Sequence, residues 1–155
     1  MTDKKQESLV RLAYEQAVVA FERGDDPYGC VLADYDGNLL EQDGNRENTR
    51  QDPTAHAEIV VIRKTCEKLR TNDLSAYVMA CNYRPCPMCA AAISLVGIKM
   101  LLVGSSAPSC EELFAKHAEK SLGVRVIGGL LNELCTTQVH EARKHKAMMN
   151  MKKND

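Results

Sequence analysis

Apolar residues first recur at helical spacing between Ser8 and Arg23, where Leu9, Leu12, Ala13, Ala17, Ala20 and Phe21 share one face. Gly24 stands where a left-handed cap would close that helix. The apolar runs CVLAD and LLEQ then flank YDGN, and an Asp-Gly pair between two such runs predicts a hairpin of antiparallel strands. From His56 to about Leu69, Ile59, Val60, Ile62 and Leu69 are interleaved with Glu, Arg and Lys behind Pro53 and its DPT, so a second helix is expected. AYVMAC predicts a short strand, Cys86 to Val96 a third helix closed by Gly97, and KMLLVG another strand. EELFAKHAEK has a helical pattern, GVRVIGG a strand edged by glycines, and Leu130 to Met149 a closing helix.

Strands separated by helices need crossover connections, so this order predicts an α/β fold, a three-layer α/β/α sandwich. Its sheet should be mixed and five-stranded, with the three later strands parallel to one another. No repeat, low-complexity stretch or linker divides the chain, so residues 1–155 are read as one domain.

Composition narrows the setting. A chain of 155 residues can bury roughly two-thirds of its unfolded surface without disulfide staples. Seven cysteines, an odd number, with no apolar leader and no run of about 18 apolar residues, point to a reduced, cytoplasmic protein that does not enter a membrane. With 20 basic and 21 acidic side chains the formal charge is −1, so no overall field draws in nucleic acid. The tail RKHKAMMNMKKND is a local basic patch, read as a solvated, frayed chain end.

The chemistry concentrates in two short stretches. NYRPCPMC places Cys86 and Cys89 three residues apart, a spacing used by redox dithiols, by structural zinc knots and by catalytic zinc sites. Thirty residues earlier DPTAHAEI supplies His56 and Glu58. One imidazole and two thiolates leave a tetrahedral zinc with one open position for water, whereas a closed structural site would need a fourth ligand, for which Cys81 is the best candidate. Both stretches fall at predicted helix starts, where free N–H groups and the positive end of the helix dipole favour negative charge. His56 and Glu58, two apart, can face a common point only if His56 lies in the first turn. Glu58 then suits a proton shuttle better than a ligand.

His56, Glu58 and the P-C-x-x-C of Pro85, Cys86 and Cys89 match the zinc-deaminase pattern H-x-E…P-C-x-x-C. From Ser8 to about Val126 the chain resembles the cytidine deaminase superfamily, in its branch of guanine, cytosine and tRNA adenosine deaminases. The resemblance implies a five-stranded mixed sheet and a homodimer with active sites close to the interface. It also implies one Zn2+ per chain on His56, Cys86 and Cys89, with Glu58 as the catalytic proton carrier. Asn45 of the GN pair matches a residue that hydrogen-bonds the substrate ring, and Ala57 a position whose N–H faces the substrate. DPYGC resembles a loop in which Gly29 lets the backbone approach the ligand and Tyr28 lines the base pocket.

Arg84 departs from the family, which commonly has Glu immediately before P-C-x-x-C. Its guanidinium is a candidate for binding a substrate carbonyl or carboxylate, with a surface salt bridge as the plainer alternative. The resemblance implies that SSAPSCEELFAKHAEK helps shape the pocket, with Glu111 and Glu112 read as partners of the helix dipole in preference to readers of a purine amino group. Together these point to hydrolytic removal of an amino group from a small heterocyclic base or nucleoside, releasing ammonia. The wording of DPTAHAE and PCPMC leans to a guanine-like aminopurine. The charge balance and an aromatic content of 5% argue for a free base or nucleoside over RNA. The alternative is a tRNA-specific adenosine deaminase, whose last helix is often basic.

Overall fold

In the computed structural model, residues 1–105 and 123–154 are described; the helix expected in EELFAKHAEK, with Glu111 and Glu112, lies outside them. Helix α1 (Asp3–Glu22) starts five residues before the apolar pattern does, because the Thr2 hydroxyl caps it by accepting from the N–H of Lys5 and Asp3 sits in the first turn. Gly24 follows its end at φ +94°, as expected of a left-handed cap.

Strands β1 (Gly29–Asp34) and β2 (Leu39–Gly44) form the antiparallel hairpin. Its turn is held by Asp34, whose Oδ1 accepts from the N–H groups of Asp36 and Asn38. A short helix α2 (Glu47–Arg50) follows, then α3 (Ala57–Leu69), β3 (Tyr77–Cys81), α4 (Pro87–Leu95), β4 (Met100–Val103), β5 (Arg125–Ile127) and the closing helix α5 (Asn132–Lys153). The sheet order is β2-β1-β3-β4-β5. β3 pairs antiparallel with β1, while β3, β4 and β5 run parallel to one another, as the crossovers require.

Alternating side chains assign the two faces. Val31, Ala33, Val78, Ala80 and Leu102 pack against Leu9, Val10 and Ala13 of α1 and Cys135 of α5. Cys30, Leu32, Met79, Cys81 and Val103 pack against Ala57, Val61 and Ile62 of α3 and Ile93 of α4. Each fully buried aliphatic side chain stabilises the sandwich by about 1.5–3 kcal/mol. This second layer brings the starts of α3 and α4 together beside the carboxyl end of β3.

Gly29 has a different purpose from the one its loop suggested. A Cβ there would lie 2.0 Å from the carbonyl oxygen of Ala13 and 2.5 Å from the N of Ala17, so its missing side chain makes room for α1, not for a ligand. Gly44, its partner in the hairpin register, meets Ala20 and Gln16 of α1 in the same way.

Candidate active site

Both motif stretches end at helix tips. His56 is the N-cap residue of α3, in extended conformation, with Glu58 in the first turn. Cys86 is the N-cap of α4, followed by Pro87 at a position that needs no N–H donor, and Cys89 lies one turn along. Expected in the first turn, His56 is in fact just outside it, which frees its ring to swing toward α4.

The Nδ1 of His56 lies 3.4 Å from the Cys86 sulfur and 3.6 Å from the Cys89 sulfur. Two ligands sharing a tetrahedral zinc at bonds of about 2.0 Å to nitrogen and about 2.3 Å to sulfur lie about 3.5 Å apart. These three residues are the group among the described residues whose donor atoms converge closely enough to hold a metal. Cys81 is not part of it, so the closed four-ligand site is not formed.

The electrostatics agree with the geometry. Burial first, then the negative charges of Glu58 and Cys86, push the Cys89 thiol far above its ordinary range. A thiolate there needs a cation beside it. Burial likewise raises the Glu58 carboxyl, whose neighbours are Cys89, His56 and Cys81. Cys81 is fully buried beside Cys30, its cross-strand partner, and burial pushes its thiol well above the ordinary value.

The other nitrogen of His56 is also engaged. Nε2 lies 3.2 Å from Oε1 of Glu47, which also accepts from Nδ2 of Asn45 at 2.7 Å. Oδ1 of Asn45 accepts in turn from the N–H of Glu47 at 3.0 Å and of Asp26 at 3.4 Å. Asn45 is fully buried and bordering the pocket, with its carbonyl occupied and one amide N–H left over for a ring acceptor. The loop carrying this pair is pinned to the end of α1: Arg23 donates to the Asn45 carbonyl at 2.7 Å and to Asp25 at 2.6 Å, and Asp25 accepts from the N–H and hydroxyl of Thr49.

A pocket of about 230 Å3 opens over these groups, bordered on one side by His56, Glu58 and Cys86 and on the other by Tyr28, Tyr83 and Arg84. A larger groove of about 1030 Å3 between α1 and α5 contains none of the motif residues. Tyr28 does line the pocket. Its loop is held by the buried Asn82, which accepts from the N–H of Gly29 at 2.9 Å and donates to the carbonyl of Pro27 at 3.0 Å. Ala57 is buried in the core at the start of α3 and is not among the residues that border the pocket. Arg84 lines the pocket with no carboxylate paired to it among the described residues, and its Nε is buried with no hydrogen-bond partner.

Arg143 was not singled out in the sequence. It reaches from α5 to the Tyr28 hydroxyl, with Nε at 3.2 Å, and stands 5.8 Å and 5.2 Å from the ring centres of Tyr28 and Tyr83. Lys146, one turn along, pairs with Asp26 at 2.5 Å. The tail expected to fray is therefore helical through Lys153 and supplies part of the pocket wall. A basic run at i and i+3 was its only sequence signal. Among the described residues no helix is long and apolar enough to cross a membrane.

Comparison with known proteins agrees with this arrangement. The family model of the cytidine and deoxycytidylate deaminase zinc-binding region matches residues 3–105. A tRNA-specific adenosine deaminase of Agrobacterium fabrum is 42% identical over 100 residues, which cover 64% of this chain and 65% of that protein, just under two-thirds of its length. A guanine deaminase of Bacillus subtilis is 40% identical over 67 residues, 43% of this chain and 42% of that one. A solved structure from work on A-to-I editing by tRNA:A34 deaminases at the wobble position of transfer RNA superposes with a TM-score of 0.76. It is 34% identical and covers 84% of this chain and 98% of its own.

Proposed function

The chain belongs to the cytidine and deoxycytidylate deaminase family of zinc-dependent hydrolases, and on that premise we propose that it removes the 6-amino group of an adenosine presented in RNA, in the manner of a tRNA adenosine deaminase. The chemical half of the proposal is carried by one observation: His56 Nδ1, 3.4 Å and 3.6 Å from the sulfurs of Cys86 and Cys89, beside the buried Glu58. His56, Cys86 and Cys89 would hold the zinc, which when bound supplies the Lewis acidity that makes water a nucleophile at neutral pH.

The chain's own side chains do the rest. Glu58 takes one proton of the attacking water and passes it to a ring nitrogen of the base, then takes the second from the added hydroxyl and gives it to the departing amino group, so that ammonia leaves. Its burial among sulfurs favours a carboxyl that can hold that proton as well as release it. The remaining Asn45 N–H orients the ring, and the Ala57 N–H, outside the helix ladder at the start of α3, would serve as a second donor. Tyr28 and Tyr83, ring centres 6.0 Å apart, border the base on the pocket wall.

The choice of substrate reverses the lean of the sequence. A guanine-like free base was favoured by the PCPMC wording and the even charge balance. The RNA reading is better supported by the tRNA deaminase likenesses, 42% identical over 64% of the chain and 34% identical over 84%, against 40% over 43% for the guanine deaminase sequence. It is supported also by α5, which carries Arg143 to the pocket, pairs Lys146 with Asp26 and ends in Lys152 and Lys153. Net charge did not reveal this because a total carries no position. The homodimer implied by the resemblance remains part of the proposal, with the exposed Met88 and Leu95 of α4 as side chains a second copy would cover.

The test is a panel of substrates: an RNA stem-loop with adenosine in its loop, adenosine, adenine and guanine, assayed for ammonia release. Conversion of the stem-loop with a steep loss at higher salt is expected. Turnover of guanine without turnover of the RNA would return the function to the free-base reading.

A further inference from the structure

We propose that Arg84 and Arg143 form a phosphate-receiving mouth on the pocket, so that the base enters as part of a nucleotide chain. This rests on the RNA reading above and gives it a physical contact.

The carboxylates around the pocket are already committed. Asp26 is paired with Lys146 at 2.5 Å. Glu47 faces His56 and Asn45 at 3.2 Å and 2.7 Å. Glu58 is buried among Cys89, Cys81 and His56. Neither arginine is paired with any of them. The Nε of Arg84 is buried and has no acceptor among the described residues. The partners of Arg143 are neutral: the Tyr28 hydroxyl and the faces of Tyr28 and Tyr83.

Two guanidinium groups with no carboxylate partner among the described residues, both bordering one pocket of about 230 Å3, call for an anion. A buried donor without an acceptor is costly, and it is held where a ligand supplies what the protein does not. The planar fork of a guanidinium matches two oxygens of one phosphate. A nucleobase is neutral and cannot answer two cations, whereas the phosphodiester next to it can. A pocket of this size takes a base and leaves the sugar-phosphate beside it, next to the bordering Arg84 and Arg143.

The experiment measures binding of the RNA stem-loop to the zinc-loaded full-length protein by fluorescence anisotropy over a salt series, with wild type, Arg84→Gln, Arg84→Lys and Arg143→Gln. Arg84→Gln should weaken binding about 10- to 100-fold, the range of a lost charge-assisted hydrogen bond. The slope of log affinity against log salt should become shallower by about 0.7 for each phosphate contact removed. Arg84→Lys, which keeps the charge, should recover the slope and part of the affinity, and all variants should keep one zinc per chain. Unchanged slopes in both glutamine variants, with wild type still binding and deaminating the RNA, would overturn the phosphate mouth and leave the RNA function standing. A wild type that deaminates a free base and binds no RNA would remove both.

Discussion

The Nε2 of His56 lies 3.2 Å from the carboxylate of Glu47, while its Nδ1 faces the sulfurs of Cys86 and Cys89. A histidine that ligates a metal through one nitrogen is oriented by what its other N–H donates to, and the Glu47 carboxylate stands where an Nε2 proton would be accepted. Replacing Glu47 by Leu should weaken zinc binding by about 10- to 100-fold, with Glu47→Gln, which keeps an acceptor oxygen, less affected. Competition with a chromophoric chelator measures this, and equal affinities in all three proteins would remove the role.

Cys81 borders the site without completing it. Cys81→Ser should therefore retain one zinc per chain, whereas Cys89→Ala should lose it. Metal analysis of the purified variants decides, and loss of zinc from Cys81→Ser would favour a closed structural centre over an open catalytic one.

Acid should unfold the loop that carries Asn45 and Glu47 before neutral pH disturbs it. The Asp25 carboxyl is held below its ordinary value although burial opposes this, because Thr49 and Arg23 donate to it. Asp43, hydrogen-bonded to Gly44 and Arg46, is lowered in the same way against its burial. A depressed folded pKa gives stability that is complete above the unfolded value of about 4 and is lost as pH falls through the folded one. Thermal melts should be flat above about pH 5 and decline steeply below about pH 4. Asp25→Asn should cost about 1–3 kcal/mol at neutral pH and flatten that decline.

Close packing of α1 on the hairpin gives a sharper prediction. A methyl group at Gly29 would meet the backbone of Ala13 and Ala17, which has no side-chain freedom to yield. Gly29→Ala should destabilise by at least about 1–3 kcal/mol in urea unfolding, and a neutral result would mean that the helix can move off the strand.

Local spacing made His56, Glu58, Cys86 and Cys89 legible, because two short helix starts suffice to display them. The strands and their directions followed from apolar runs and crossover lengths. Glu47, Asn82 and Arg143 were not legible. Each acts through a contact made by folding: Glu47 on a four-residue helix with no apolar periodicity, Asn82 across 55 residues to Pro27, and Arg143 across 115 residues to Tyr28. Charge totals also hid the basic face of α5, since a sum carries no position.

In the proposed mechanism Glu58 carries the proton in hydrolytic deamination at a zinc site. Glu58→Gln keeps the shape of the side chain and removes the exchangeable carboxyl. Ammonia release from the adenosine stem-loop should fall by at least about 100-fold, while the variant keeps one zinc per chain and the thermal midpoint of the wild type. Turnover within a few-fold of wild type at full zinc occupancy would contradict the account.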